Sequence, residues 1–205
     1  MHIPVTKILR DLTPDLVWHL PNHDNSVYLT FDDGPTPAIT EWILGQLARY
    51  DAKATFFCIG KNAELYHNLV DMIRAEGHAL GNHTHNHMKG WGRSIKEYTD
   101  NIGKANEILQ TNLFRPPYGR ITPRQAVSLT RAGYHIILWN ILSRDYNKYI
   151  DGRTCYKNAT NHVKAGSIVV FHDSVKTFKN MSYALPRTLD LIYERGLVCK
   201  PITLK

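Results

Sequence analysis

Cysteine is scarce in this chain. Only Cys58, Cys155 and Cys199 occur among 205 residues, odd in number and far apart. That excludes a disulfide framework and a thiolate zinc site, and it favours a reducing compartment. No apolar run approaches the ~20 residues that a membrane span needs. No segment reads as a secretion signal either, because Lys7, Arg10 and Asp11 interrupt the first apolar stretch and no small-residue cleavage site follows. On that reading the chain is cytoplasmic, or extracytoplasmic if it has been trimmed. The formal net charge is +7, which favours anionic partners. There is nonetheless no dense Lys/Arg block and no aromatic-rich RNA motif, so nucleic acid is not an expected partner. No internal repeat is visible, and no glycine-rich fingerprint follows the first apolar run, which weakens a dinucleotide-binding reading.

What is present is an ordinary globular composition, 43% hydrophobic and 21% charged. The length suits one domain, or two small ones. Strand-like runs rich in Val, Ile, Phe and Tyr fall at 26–31, 54–59, 78–81, 113–115, 135–140, 167–172 and 198–203. Helical signals lie between them. Thr36-Pro37 reads as an N-cap followed by proline at the first helical position, with Ile39, Ile43 and Leu47 at helical spacing. Ser94…Glu97 and Thr122…Gln125 read as capping boxes. Gly77 and Gly133 stand where helices end. Residues 62–76 read as one helix with Leu65, Leu69 and Met72 on one side. About seven strands alternating with helices predict an α/β fold with a parallel sheet, closed into a barrel or open and doubly wound.

The reactive residues fall at the C-terminal ends of these runs. Asp32 and Asp33 follow the first strand, His83 and His87 the third, Arg115 and Tyr118 the fourth, Asp145 the fifth, and His172 ends the sixth. In parallel α/β folds sites form on that edge. One carboxylate and two imidazoles can hold a divalent cation and leave positions open for water. The spare carboxylate can then take a proton from that water. His83 and His87, four apart, make a better chelate than either with His85, by the logic of two histidines on one helical face. Taken singly, each piece also has a plain structural reading: a turn at 32–35, a rigid turn at 115–118, a satisfied strand-end histidine at 172. Trp42, Trp91 and Trp139 read as core or rim. Two histidines and a carboxylate could also form an Fe(II) triad, but the βα alternation argues against the all-β folds that carry one.

The motifs together make the chain resemble the NodB-homology polysaccharide deacetylases, also called carbohydrate esterase family four. Thr30-Phe31-Asp32-Asp33-Gly34-Pro35, His83-Thr84-His85-Asn86-His87, Arg115-Pro116-Pro117-Tyr118, Asp145-Tyr146 and Val170-Phe171-His172 stand in the family's order and spacing. The resemblance implies a distorted (β/α) barrel with about seven parallel strands. It implies a catalytic domain over 26–205; residues 1–25 have no counterpart in the family and are expected as an N-terminal extension packed on that domain. It also implies removal of N-acetyl groups from GlcNAc-containing glycans of the chitin-oligomer or peptidoglycan type. An O-acetyl esterase on a xylan-like glycan and a catalytically inactive glycan-binding module are the alternatives. Carried over, Asp32 is the catalytic base, oriented by Arg115. Asp33, His83 and His87 are the metal ligands. The Tyr118 N–H is an oxyanion donor, and His172 is the catalytic acid with Asp145 as its charge partner. Tyr146 and Val170 wall the substrate pocket in place of the family's Trp and Leu, and Leu142 stands where many members have Asp. The implied cofactor is one divalent metal, Zn2+ first, with Co2+, Ni2+ or Mn2+ as alternatives. The implied partner is an acetylated glycan, bound by a monomer.

Overall fold

The computed structural model describes residues 13–21 and 24–204. Residues 1–12, 22 and 23, more than half of the expected N-terminal extension, lie outside them. Nine strands occur among the described residues: β1 (Leu16–Val17), β2 (Ser26–Asp32), β3 (Thr55–Cys58), β4 (Ala79–Asn82), β5 (Leu113–Phe114), β6 (His135–Ile137), β7 (Ile141–Leu142), β8 (Ile168–His172) and β9 (Val198–Cys199). Every pairing is parallel, in the order β1-β6-β5-β4-β3-β2-β8-β7, and β9 pairs with the start of β2. The seven expected strands are all present. The two additional ones have two residues each, too short for periodicity to reveal.

The helices are α1 (Ile39–Ala48), α2 (Gly60–Leu65), α3 (His67–Ala75), α4 (Ile95–Leu109), α5 (Pro123–Arg131), α6 (Gly152–Thr160) and α7 (Phe178–Glu194). Parallel strands need such crossovers. Alternation along each strand sorts the two faces. Val27, Leu29 and Phe31 of β2 and Val169 and Phe171 of β8 pack outward with Ile43, Leu47, Leu185 and Leu189 of the helices. Phe57, Ile137 and Ile168 point inward with Leu20, Leu113 and Ile202. By the same alternation Thr30 and Asp32 of β2, and Val170 and His172 of β8, face the interior.

The sheet curls strongly. β5 and β2 are not neighbours in the strand order, yet Arg115, just beyond β5, bonds directly to Thr30 and Asp32 on β2. Only a sheet rolled toward a barrel brings those strands within one side chain's reach.

Several local signals resolve differently from the sequence pattern. α1 begins at Ile39, not at Pro37, and the Glu41 carboxylate accepts the Ala38 N–H at its start. Residues 62–76 form two helices broken at Tyr66 (φ −123°, ψ 49°), which shifts the buried face to Leu69, Val70 and Ile73 and leaves Leu65 exposed. Thr122 and Gln125 form the reciprocal box. At Ser94 only half of it forms, because the Glu97 carboxylate turns to Arg93 at 2.8 Å. Gly77 and Gly133 have φ of 80° and 88°, the left-handed conformation that ends α3 and α5.

Candidate active site

Asp32 and Asp33 are adjacent but face different partners. Asp32 ends β2 with its side chain inward, and its Oδ1 accepts from Arg115 Nη1 at 2.6 Å. Arg115 is fully buried. Its remaining donors go to Thr30 Oγ1 (2.7 Å) and to the Ile137 and Leu138 carbonyls (both 3.1 Å), and its guanidinium lies 4.0 Å from the Phe57 ring centroid. Burial pulls the Arg115 pKa down, opposed by the Asp32 charge. The guanidinium is thus clamped on all sides and fixes the carboxylate in turn.

Asp33 has left the strand with φ 82°, which swings its side chain away from Asp32. Its Oδ1 lies 3.1 Å from His87 Nε2 and 3.8 Å from His83 Nε2. Burial pushes its pKa up, but the His87 hydrogen bond and the charges of His172 and His83 prevail and hold it well below the usual carboxylate range. His83 is buried, and its Nδ1 meets the Arg115 carbonyl at 2.7 Å. A carbonyl only accepts, so Nδ1 carries the hydrogen and Nε2 keeps its lone pair facing Asp33 and His87. Burial lowers the His83 pKa to about 4, so the ring is neutral at neutral pH.

The two histidines do not share a helical face. Residues 83–89 form a loop, and left-handed backbone at Thr84 (φ 64°) and His87 (φ 59°) bends it back on itself. Thr84 holds the bend, taking the Met88 N–H on its hydroxyl and giving its own N–H to Asn82 Oδ1. The rings end 5.1 Å apart. His85 points elsewhere, with Nε2 3.9 Å from Glu64. One donor atom each from Asp33, His83 and His87 lies within 4.8 Å of the others, so these residues can ligate one cation. A neutral imidazole with its distal nitrogen tied to a carbonyl, a second imidazole and an ionised carboxylate fit a first-row divalent metal.

On the other side of the cavity His172 ends β8. Its Nδ1 lies 2.7 Å from Asp145 Oδ1, and its backbone N–H donates to Asp145 Oδ2 at 2.7 Å. Burial alone would strip the ring of its proton, but the Asp145 charge and hydrogen bond outweigh it and raise the pKa to about 9. Tyr118 sits in a short turn, Pro117–Gly119, with φ 60°. The N–H groups of Gly119 and Arg120 bond to the carbonyls of Pro116 and Pro117, whereas that of Tyr118 is left out of the turn's bonds. The Tyr118 ring stands edge-on to His87 at 4.7 Å. These groups enclose a cavity of about 330 Å3, walled by Trp139, Leu142, Tyr146 and Val170 with Lys176 at the rim. Every residue expected at the site therefore borders it or bonds directly to one that does.

Two supporting residues had no sequence signal. Asn62 Nδ2 donates to the Asp33 carbonyl at 2.8 Å. Asp173, buried, takes the Thr40 hydroxyl at 2.8 Å and gives its backbone N–H to the Asp32 carbonyl at 3.0 Å. A Cβ on Gly34 would fall 1.9 Å from its Oδ2, so only glycine fits the turn that Asp173 packs against. Burial raises the Asp173 pKa to about 8.

Residues 19–137 match the family model described as polysaccharide deacetylase. A peptidoglycan-N-acetylglucosamine deacetylase of Bacillus cereus is 32% identical over 190 residues, covering 88% of this chain and 88% of its own. A second protein of that description from the same organism is 36% identical over 160 residues, and there the match covers 75% of this chain and 58% of that protein's length. A crystal structure of a peptidoglycan N-acetylglucosamine deacetylase bound to a naphthyl N-oxidanyl-benzamide superposes with a TM-score of 0.87 at 31% identity, covering 92% of this chain and 91% of that one.

Proposed function

The chain belongs to the polysaccharide deacetylase family, and we propose that it is a metal-dependent hydrolase removing N-acetyl groups from GlcNAc-containing glycans. The observation that carries this reading is the split between adjacent carboxylates: Asp33 faces two imidazoles, while Asp32 is turned away to a buried arginine at 2.6 Å. Two identical side chains with separate partners can do two jobs.

An amide is a weak electrophile with a poor leaving group, so the site must supply a nucleophile, hold an oxyanion and protonate an amine. Asp33, His83 and His87 would hold the cation, Zn2+ by the character of the donors. A cation held there would supply Lewis acidity, lowering the pKa of water and polarising the acetyl carbonyl. Asp32 takes the proton from the attacking water, and Arg115 keeps it ionised and aimed. The Tyr118 N–H donates to the developing oxyanion, and losing one such donor typically slows a reaction ~100- to 1000-fold. His172, kept protonated by Asp145, gives its proton to the departing nitrogen. An inactive glycan-binding module would have no need of residues in all of these positions, and this supports the catalytic reading over it. Ahead of β2, Leu16–Val17 adds a strand beside β6, and the family match already begins at residue 19, so the catalytic domain takes in part of the segment before residue 26.

The test is acetate release from N-acetylated glycans together with metal analysis. Asp32→Asn is expected to keep the metal and lose about 100- to 10,000-fold in kcat/KM, whereas His83→Ala loses both metal and activity. An Asp32→Asn protein at wild-type rate would exclude Asp32 as base, and a fully active protein after chelation would exclude the metal.

A further inference from the structure

Asp32 and His172 stand opposite each other on β2 and β8. The proposed base and acid thus share one rung of the ladder, and one residue later the chain carries Asp33 away from it at φ 82°. That departure is pinned at three successive carbonyls. The Asp32 carbonyl accepts the Asp173 N–H at 3.0 Å, the Asp33 carbonyl accepts from Asn62 Nδ2 at 2.8 Å, and the Gly34 carbonyl accepts the Ile59 N–H at 2.9 Å. Asp173 follows His172 directly and is buried. It lies outside the lining of the catalytic cavity, so the reaction as derived leaves this carboxyl without a task.

The Asp173 side chain packs on the same turn that its N–H holds. A Cβ on Gly34 would fall 1.9 Å from Oδ2 and 2.3 Å from Cγ, so the carboxyl lies directly against the Gly34 backbone. Oδ2 accepts the Thr40 hydroxyl at 2.8 Å, and the same Thr40 oxygen accepts the Thr36 N–H at 2.8 Å. A chain of two bonds therefore runs from the end of β8 to the segment that leads from the turn into α1. Burying a carboxyl opposes folding in a way that an apolar side chain does not. Here its contacts all land on the stretch of chain that aims Asp32 and Asp33. Groups that orient the ligands of a metal typically change its affinity or the rate ~10- to 100-fold when removed.

Resting on the deacetylase reading, we propose that Asp173 is a positioning residue that locks the turn carrying Asp32 and Asp33 to the strand end carrying His172. Its N–H fixes the main chain of the base against that of the acid. Its carboxyl fills the space beside Gly34 into which the turn would otherwise relax, and so holds the Asp33 side chain toward His83 and His87. Base, acid and ligand then keep one spacing, and a displacement of ~1 Å among such groups can slow a reaction ~100-fold.

The experiment measures Zn2+ dissociation constants by competition with a chelating dye, and acetate release from an N-acetylglucosamine tetramer at saturating Zn2+, on variants whose folding is checked by circular dichroism. Asp173→Ala is expected to weaken Zn2+ binding about tenfold and to lower kcat about 10- to 100-fold, with KM within about twofold of wild type. Asp173→Asn keeps the shape and an oxygen for the Thr40 hydroxyl, and should restore both quantities to within about threefold of wild type. Thr40→Val removes the donor from an intact carboxyl and should move both in the same direction by about threefold or more. It carries the test if Asp173→Ala does not fold. Leu185→Ala opens a cavity in the core outside the sheet and controls for lost stability alone, with Zn2+ affinity and kcat expected within about twofold of wild type. Thr40→Val or folded Asp173→Ala within about twofold of wild type in both quantities overturns the assignment. Equal losses in Leu185→Ala, or an Asn variant as impaired as the Ala one, overturn it too. A wild type that releases no acetate, while the variants keep this order of Zn2+ affinities, would instead overturn the deacetylase reading and leave the assignment standing.

Discussion

Replacing Asp145 with Asn probes His172 in its proposed role as proton donor. Three N–H groups converge on its two oxygens: the His172 ring and the Tyr146 backbone on Oδ1, and the His172 backbone on Oδ2. An amide offers only one accepting oxygen, so at least one donor faces an NH2 group, at a cost of about 1–3 kcal/mol. The electrostatic effect is larger. Asp145 is the main reason that the His172 pKa stands at about 9 and not at 6.5, a separation worth about 3 kcal/mol. Without that carboxylate, only Asp32 and Asp33 oppose burial, so the pKa falls to the ordinary value or below. At about pH 7.5 roughly a tenth of the molecules then remain protonated, and kcat/KM drops about tenfold or more. The deficit should close toward pH 6, where both proteins carry the proton. Acetate release against pH reads the alkaline limb. NMR titration of the His172 ring in metal-free protein reads the pKa directly, because a cation at Asp33 would cancel part of the raise. Since the folded pKa is the raised one, the pair stabilises the fold fully below about 6.5 and ceases to do so as pH climbs through about 9. An alkaline limb that does not move in the variant, or a wild-type ring titrating at 6.5 or lower, refutes the reasoning.

Two further outcomes follow from buried charges. Arg115→Met strands the Asp32 carboxylate in the barrel interior, and the loss of stability is expected at about 3–5 kcal/mol; chemical denaturation giving less than about 1 kcal/mol would show that Asp32 is adequately solvated without its partner. Asp173 has its pKa raised from 3.8 to about 8, so the wild-type protein loses stability as pH rises between those values, while Asp173→Asn does not. Thermal melts should therefore show the variant gaining on wild type from pH 4 to pH 8, and parallel curves would place Asp173 ionised.

Much of the site was legible because its residues sit at strand ends, and strand ends are where a run of Val, Ile and Phe gives way to polar residues. Asp32 and His172 follow such runs directly, and pleat alternation then turns them inward. The pair that faces Asp33 was legible for a reason the molecule does not use: spacing alone selected His83 and His87, yet a left-handed loop joins them, and backbone at positive φ leaves no periodic trace. The phase of α2 and α3 was lost at Tyr66 because a one-residue break resets helical register without any glycine or proline to announce it. Asn62 and Asp173 were invisible for a different reason. Each acts by bonding to main chain of the 32–34 turn, a contact set by the fold and by no local pattern.

Five residues in the loops that carry the site, Asp33, Thr84, His87, Tyr118 and Arg144, hold backbone at positive φ without being glycine. Each such conformation opposes folding by about 1–2 kcal/mol relative to relaxed backbone. Thermal-shift selection on random variants would therefore be drawn to these loops, where Arg144→Gly relieves tension most simply. Such a winner would let the loop before Asp145 wander, so heat tolerance and turnover should trade against each other in the loops that carry the site more steeply than on the outer helices.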